Sequence, residues 1–195
     1  MNPNTPIYLI VHHTGGSDAD PLNDSSNFTF KQCDALHKAK WNFRSSLGFY
    51  VGYHYYIEKD GTLYQARADT DEGAHTVGYN LKSIGICMAG NFDATMPTEP
   101  QKSTLKKLLL QKTAQYNIPA INVLPHRKFA IKTCYGKLLA DEWAQDLIKQ
   151  SVVKNPAAAL ALLAEVTAAI NSKDYKKAKD RTSYLFGELA KLTQI

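Results

Sequence analysis

Two histidines and one cysteine are the residues in this sequence best suited to chemistry. His126 and Cys134 are eight residues apart in a polar stretch, and Lys132 precedes the cysteine by two residues. Far upstream, a short apolar run ends on His12 and His13. Two imidazoles and one thiolate form a three-ligand zinc set with one open coordination position, which is typical of catalytic rather than structural zinc sites.

Such a site would activate a bound water at neutral pH and polarise a scissile carbonyl. In an extended segment Lys132 would point to the same side as Cys134, where its ammonium group can stabilise an oxyanion. The hydroxyl of Tyr53 can orient or deprotonate the water. The competing interpretation is that a histidine at the end of a strand belongs to the core. Strand alternation allows only one of His12 and His13 to face the site, and the residues alone do not decide which.

The elements that must position these residues alternate between strands and helices. Continuous apolar runs predict buried strands, helical spacing of apolar residues predicts helices, and two aromatic runs around Asp60-Gly61 predict a hairpin. The predicted strands cover residues 7–11, 53–58, 62–66, 83–89 and 120–124, and the predicted helices cover residues 30–41, 98–117 and 138–148. This alternation predicts an α/β fold, a mixed central β-sheet flanked by helices, with its site beyond the strand ends.

A different segment begins at Asn155-Pro156, where the composition turns rich in alanine and leucine. Two helices are predicted over residues 157–170 and 175–192, which gives a C-terminal α-helical hairpin too small to bury a core by itself. We therefore predict two domains, a catalytic domain over residues 1–150 and the hairpin over residues 156–195. The hairpin is expected to pack on the main domain, on a second copy of the chain or on another partner.

The composition, 44% hydrophobic and 21% charged over 195 residues, is ordinary for a globular protein. A net charge of +5 favours an anionic surface such as a bacterial cell wall or nucleic acid, or serves only solubility. The N-terminus lacks the features of a signal peptide, and no apolar run reaches transmembrane length. We expect synthesis in the cytoplasm and no membrane insertion. Three cysteines argue against a disulfide framework, and Cys33 and Cys87 are expected to be buried thiols.

Seven short motifs, in the same order, make the sequence resemble the zinc-dependent N-acetylmuramoyl-L-alanine amidases. This family includes phage lysozyme-type amidases and peptidoglycan recognition proteins. The motifs are Ile10-Val11-His12-His13-Thr14, Gly52-Tyr53-His54-Tyr55-Tyr56-Ile57, Asp60-Gly61-Thr62, Gly73-Ala74-His75, Gly78-Tyr79-Asn80, Ser83-Ile84-Gly85-Ile86 and His126 through Cys134. Each motif alone is weak, whereas all of them in register are specific.

The resemblance implies a function and assigns residues to it. It implies zinc ligands His12, His126 and Cys134, catalytic residues Tyr53 and Lys132, and groove residues His75 and Asn80. With His12 as the ligand, His13 is left to the core or the substrate side, and we assign it to substrate binding. The implied reaction is hydrolysis of the amide between the muramic acid lactyl group and L-Ala, with Zn²⁺ as cofactor. The partner is peptidoglycan or a muropeptide, and no nucleic acid is expected.

Three functions follow from the resemblance, and Cys134 discriminates among them. Non-catalytic peptidoglycan-binding receptors typically lack this cysteine, and cytoplasmic muropeptide-recycling amidases usually carry a carboxylate there. The cysteine therefore favours a lytic amidase, most simply a phage or prophage endolysin that acts on the cell wall after release. The sequence departs from the family at Tyr135, where proline is common. The hairpin has no counterpart in the family pattern, so its role, including self-association, is not inherited.

Overall fold

The computed structural model describes residues 3–16, 20, 22–153, 156–177 and 179–182. It divides into a first unit, Met1–Gln145, and a second unit, Asp146–Ile195. The strands are β1 (Tyr8–His13), β2 (Tyr55–Ile57), β3 (Leu63–Gln65), β4 (Ser83–Met88) and β5 (Val123–Pro125). The α-helices are α1 (Phe30–Trp41), α2 (Glu99–Tyr116), α3 (Trp143–Val153) and α4 (Pro156–Asn171). The predicted α/β architecture is confirmed, and the predicted division at 1–150 and 156–195 stays a prediction.

The sheet has the order β3-β2-β4-β1-β5, with β1 between two parallel neighbours. Strand β2 runs parallel to β4, and β3 pairs antiparallel with β2 in the predicted hairpin. Leu9, Ile10 and Val11 are fully buried, as a continuous apolar run in a central strand requires. Because β1 and β5 are adjacent and parallel, their carboxyl ends meet at the same edge of the sheet.

Helix α2 begins and ends at the capping residues that the sequence predicts. The side chain of Thr98 accepts a hydrogen bond from the backbone of Gln101, whose own side chain bonds back to the cap, so the predicted capping box is present. Asn117 ends the helix in the left-handed conformation, with φ of 53°. The helix buries Leu105 and Leu109. Elsewhere in the first unit, the thiols of Cys33 and Cys87 are free and buried, as predicted.

The predicted strand over residues 120–124 is partly wrong. Ala120–Asn122 forms a turn of 3-10 helix, and only Val123–Pro125 pairs in the sheet. The backbone N–H of Asn122 donates to the carbonyl of Pro119 at 2.9 Å, which closes the turn and takes this segment out of the ladder. The strand nevertheless leads directly to His126, as predicted.

The predicted start of the closing helix at Leu138 is also wrong, because α3 begins at Trp143. The backbone N–H of Leu138 donates to the carbonyl of Phe92 at 3.1 Å. The carbonyl of Leu139 accepts a hydrogen bond from the Arg127 guanidinium at 2.6 Å. A helix through this segment would pair the carbonyl of Leu139 with the backbone N–H of Trp143, which instead donates to the carbonyl of Ala140 at 3.1 Å. The segment therefore does not form the helical ladder despite its apolar spacing.

The second unit contains α4, and residues 175–177 and 179–182 are also helical. A turn lies between them, where the backbone N–H of Ser172 donates to the carbonyl of Ala168 at 2.9 Å. The remainder of the predicted second helix, up to residue 192, falls outside the described residues. Among the helices that are described, none combines the length and hydropathy needed to cross a bilayer.

Candidate metal centre and active-site cleft

The structure brings the three predicted ligands together at one end of the sheet. His12 lies near the end of β1, His126 directly follows β5, and Cys134 lies in the loop before α3. Their ligand atoms all lie within 4.8 Å of one another. His12 Nδ1 is 3.7 Å from Cys134 Sγ. Tetrahedral zinc, with Zn–N of about 2.05 Å and Zn–S of about 2.3 Å, separates a nitrogen and a sulfur ligand by about 3.6 Å, so this pair fits the ion.

Parallel pairing explains why the two histidines meet. In the register of the sheet Val11 is opposite Pro125, so His12 and His126 are the next residues on adjacent strand ends. Their ring centroids are 4.5 Å apart. The end of β1 and the turn after β5 thus position two of the predicted ligands, and a loop brings the third to them.

The neighbouring residue, His13, contacts this cluster through its backbone N–H. Its N–H donates to Cys134 Sγ at 3.4 Å. Its imidazole Nδ1 accepts a hydrogen bond from the backbone N–H of Phe92 at 3.0 Å, and burial lowers its pKa to about 4. The structure therefore puts His12, rather than His13, beside the other two ligands. The ring of His13 still lines the cleft, and its substrate-binding role stays a prediction.

The loop that carries Cys134 is held on both sides. Asp93 accepts hydrogen bonds of 2.7 Å from the Thr133 hydroxyl and from the backbone N–H of Lys137. The backbone N–H of Arg127 donates to the carbonyl of Cys134 at 2.6 Å. The Arg127 guanidinium donates to the carbonyls of Gly136 and Leu139 and to the carboxylate of Asp141. Two side chains that the sequence reasoning did not single out, Asp93 and Arg127, therefore fix the position of the thiol.

Tyr135 stands where proline is common in the resembled family. Its side chain is fully buried, and its hydroxyl donates to the carbonyls of Ala140 and Asp141, at 2.8 and 2.9 Å. The ring packs edge-on against Trp143, with centroids 5.7 Å apart. The residue that replaces proline thus ties the ligand loop to the start of α3.

The environment of the cluster favours neutral imidazoles and a protonated thiol. Burial lowers the pKa of His12 well below its ordinary value, and the nearby His75 adds to this effect. Burial, with a smaller contribution from Lys132, lowers the pKa of His126 to about 4. Burial raises the pKa of Cys134 to about 12, although the His13 amide acts in the opposite direction. Both imidazoles can bind a cation at neutral pH without losing a proton, whereas the thiol must release one.

The cluster lies in a cleft of about 900 Å³ whose wall includes the two predicted catalytic residues. The ring of Tyr53 lies 4.9 Å from that of His12, measured between centroids. Burial and the nearby thiols of Cys87 and Cys134 raise the pKa of the Tyr53 phenol well above its ordinary value. Lys132 is exposed at the cleft wall.

The two predicted groove residues also line the cleft, but their polar atoms are used within the protein. Nδ1 of His75 is 3.1 Å from Nε2 of His12. The side-chain oxygen of Asn80 accepts hydrogen bonds from the backbone N–H groups of His75 and Thr76, at 3.0 and 2.9 Å. Asn80 therefore shapes the loop that presents His75. Substrate binding by either residue stays a prediction.

Comparisons with known proteins agree with this geometry. The model of the N-acetylmuramoyl-L-alanine amidase family, Amidase_2, matches residues 2–137. An N-acetylmuramoyl-L-alanine amidase of Mus musculus is 30% identical over 136 residues, which cover 68% of this chain and 24% of the relative. Peptidoglycan-recognition protein SD of Drosophila melanogaster is 29% identical over 140 residues, covering 71% of this chain and 72% of the relative.

A solved structure is similar over most of its length. Endolysine N-acetylmuramoyl-L-alanine amidase LysCS from Clostridium intestinale URNW is 26% identical, with a TM-score of 0.58 over 78% of this chain and 89% of that chain. The chain spans only about a quarter of the mouse relative's length. The similarity therefore concerns one module of that longer protein.

Proposed function

The chain belongs to the N-acetylmuramoyl-L-alanine amidase family, and on this basis we propose that it hydrolyses the amide between N-acetylmuramic acid and L-Ala in bacterial peptidoglycan with one zinc ion. One observation carries the proposal. His12, His126 and Cys134 converge on the floor of an open cleft that Tyr53 and Lys132 also line. This set of side chains suits attack on a carbonyl carbon.

Zinc would be held by the two imidazoles and the thiolate of the cluster. When bound, it would supply Lewis-acid polarisation of the scissile carbonyl and activation of a water. The chain's own contribution begins with orientation. The sheet fixes His12 and His126, and the hydrogen bonds of Asp93 and Arg127 fix the loop of Cys134.

Tyr53 and Lys132 act on the reacting groups. A phenol with a raised pKa keeps its proton at neutral pH, so the Tyr53 hydroxyl donates a hydrogen bond and orients the attacking water. Lys132 is exposed at the cleft wall, where its ammonium group stabilises negative charge that develops on the carbonyl oxygen. Removing either group is expected to slow the chemical step more than it weakens substrate binding.

Among amidases, we favour a lytic endolysin of phage or prophage type. Support comes from Cys134, whose sulfur lies 3.7 Å from Nδ1 of His12, because the resemblance implies a carboxylate at this position in recycling amidases and no cysteine in receptors. The same proposal places synthesis in the cytoplasm and action on the cell wall after release, without membrane insertion and without a nucleic-acid partner. The hairpin predicted over residues 156–195 would serve packing, self-association or wall binding.

Mass spectrometry of digested peptidoglycan tests the activity. Intact sacculi should release stem peptides without new reducing sugar ends. Zinc analysis should find about one ion per chain, since the described residues contain one such ligand set. New reducing ends would make the protein a glycosidase and overturn the proposal. Cys134→Ser should be inactive yet folded, and Cys33→Ala, at a buried thiol outside the ligand set, is the matched control. Hydrolysis of soluble muropeptides but not of sacculi would favour the recycling function.

A further inference from the structure

His75 lies between the ligand cluster and the loop that precedes β4. One ring nitrogen, Nδ1, is 3.1 Å from Nε2 of His12, and the other, Nε2, is 3.5 Å from the hydroxyl oxygen of Ser83. The ring therefore connects a zinc ligand to a residue at the start of a buried strand. The direction of each hydrogen bond along this line can be worked out from its donors and acceptors.

The hydroxyl of Ser83 fixes the first step. It donates its only hydrogen to the carbonyl of Tyr79, at 2.7 Å, so toward His75 it can only accept. A hydrogen bond at this 3.5 Å contact therefore requires the proton of His75 on Nε2, which leaves a lone pair on Nδ1. That lone pair faces Nε2 of His12, which must be the donor. His12 consequently carries its proton on Nε2 and keeps a free lone pair on Nδ1, the atom that lies 3.7 Å from Cys134 Sγ.

The position of the His75 ring is fixed sterically as well as by hydrogen bonds. A Cβ atom added at Gly85 would lie 2.5 Å from Cδ2 of His75, and one added at Gly73 would lie 2.6 Å from the same atom. The ring is therefore packed directly against backbone on two sides. The side chain of Asn80 holds the backbone of His75 in place. A ring held in this way suits the orientation of a neighbouring group.

We propose that His75 is a positioning residue for the metal site: it accepts the Nε2–H of His12 and thereby holds the tautomer that presents Nδ1 to the ion. The inference rests on the proposed zinc site, and it gives His75 a role separate from substrate contact. With this tautomer, the hydroxyl of Thr76, 2.9 Å from the same Nδ1, can only donate to it and shares that lone pair with His12. Removing that hydroxyl should leave the bond from His12 in place.

The tautomers can be measured on the unaltered, zinc-loaded chain. Long-range proton–nitrogen NMR should show both His12 and His75 protonated on Nε2, with the metal on Nδ1 of His12. Zinc on Nε2 of His12, or a proton on Nδ1 of His75, would overturn the inference. Because no substitution is needed, this test does not depend on the folding of a variant.

Substitutions test the energetic consequence through zinc affinity, measured by competition with a chromophoric chelator. His75→Ala should weaken zinc binding about 10- to 100-fold, as is usual when a partner of a ligating histidine is lost. His75→Asn can place an amide oxygen near the position of Nδ1 and should keep most of the affinity. Thr76→Val should keep the affinity of the parent chain.

Two outcomes would overturn the inference. The first is an unchanged zinc affinity in His75→Ala with a raised KM alone, which would make His75 a substrate contact. The second is an equal loss in His75→Asn and His75→Ala, which would reduce the residue to packing. Failure of the proposed function is distinct, because the parent chain would then bind no zinc or leave peptidoglycan intact.

Discussion

The carboxylate of Asp93 accepts a hydrogen bond of 2.7 Å from the hydroxyl of Thr133, the residue immediately before the thiol ligand. The same carboxylate accepts a hydrogen bond from the backbone N–H of Lys137, so one side chain spans both ends of the ligand loop. Of the three proposed ligands, His12 lies in β1 and His126 directly follows β5. The geometry of the site therefore depends on how well this loop is held.

Asp93→Ala should weaken zinc binding about tenfold or more, because both ends of the loop lose their acceptor. Thr133→Val, which removes only one of the two hydrogen bonds, should cause a smaller loss. Zinc affinity is measured by competition with a chelator, and circular dichroism checks that the fold is retained. An Asp93→Ala protein with the zinc affinity of the parent chain would show that the hydrogen bonds of Asp93 do not hold the loop of Cys134 for metal binding.

Lys132→Met should lower kcat about 100-fold or more while the chain still binds zinc, since loss of an oxyanion-stabilising group typically costs that much. Lys132→Arg keeps the charge and should keep part of the rate. The comparison needs steady-state kinetics on a soluble muropeptide together with metal analysis of each variant. Lys128→Met is the matched control, because Lys128 pairs with Asp141 and does not line the cleft. A large rise in KM at unchanged kcat would assign Lys132 to substrate binding instead.

Zinc affinity should rise with pH. The pKa of His126 is about 4 and that of Cys134 is about 12, so near neutral pH binding displaces one proton, from the thiol. Between about pH 6.5 and about pH 8 the affinity should increase about tenfold per pH unit. Cys134→Asp offers a ligand that is already ionised, so its affinity should change little over the same range. A flat profile for the parent chain would mean that Cys134 is not a ligand.

Asp69→Asn should destabilise the fold by about 3 kcal/mol or more, because it leaves the buried ammonium group of Lys112 unpaired. The Lys112 Nζ to Asp69 Oδ2 distance is 2.5 Å, and the side chains are 7% and 10% exposed. The double variant Lys112→Met with Asp69→Asn should recover much of the loss. Chemical denaturation of all three proteins measures the effect, and a double variant weaker than Asp69→Asn would refute it.

The same ion pair has a pH consequence with a definite sign. Burial alone would raise the pKa of Asp69, but hydrogen bonds from Lys112, Tyr55 and Tyr116 outweigh burial and lower it. A carboxyl with a lowered pKa in the folded chain adds stability above its unfolded pKa of about 3.9, and this stability is lost as the pH falls through the folded value. The acid unfolding midpoint should therefore move upward in Lys112→Met.

Much of the site could be predicted because its chemistry is visible in residue types. His126 and Cys134 stand out by type and spacing, and apolar runs identify the strands that lead to the histidines. Residue types alone leave the choice between His12 and His13 open; the family resemblance implies His12, and the structure places His12 in the cluster. The role of Asp93 had a weak sequence signal, its position shortly after β4. Polar residues are common after a strand, so this position does not distinguish Asp93 from its neighbours.

The parts that could not be predicted depend on contacts between segments distant in sequence. Asp93 and Thr133 are 40 residues apart, and no local pattern joins them. Helix α3 does not begin at Leu138, because the carbonyl of Leu139 accepts a hydrogen bond from Arg127 instead of from the backbone N–H of Trp143. In both cases tertiary hydrogen bonds override the weak preferences of a short segment.

The pairing of β1 also determines how much of the chain must be synthesised before the active site can form. Tyr8 is opposite Ser83 in β4, and Leu9 is opposite Val123 in β5. Both strands that pair with β1 are therefore synthesised long after it. Closing such long loops is slow and costs entropy, and no short fragment can do it. A nascent or truncated chain that ends before Cys134 would therefore lack part of the proposed metal site, and zinc uptake, if the site binds zinc as proposed, would report that the sheet has formed.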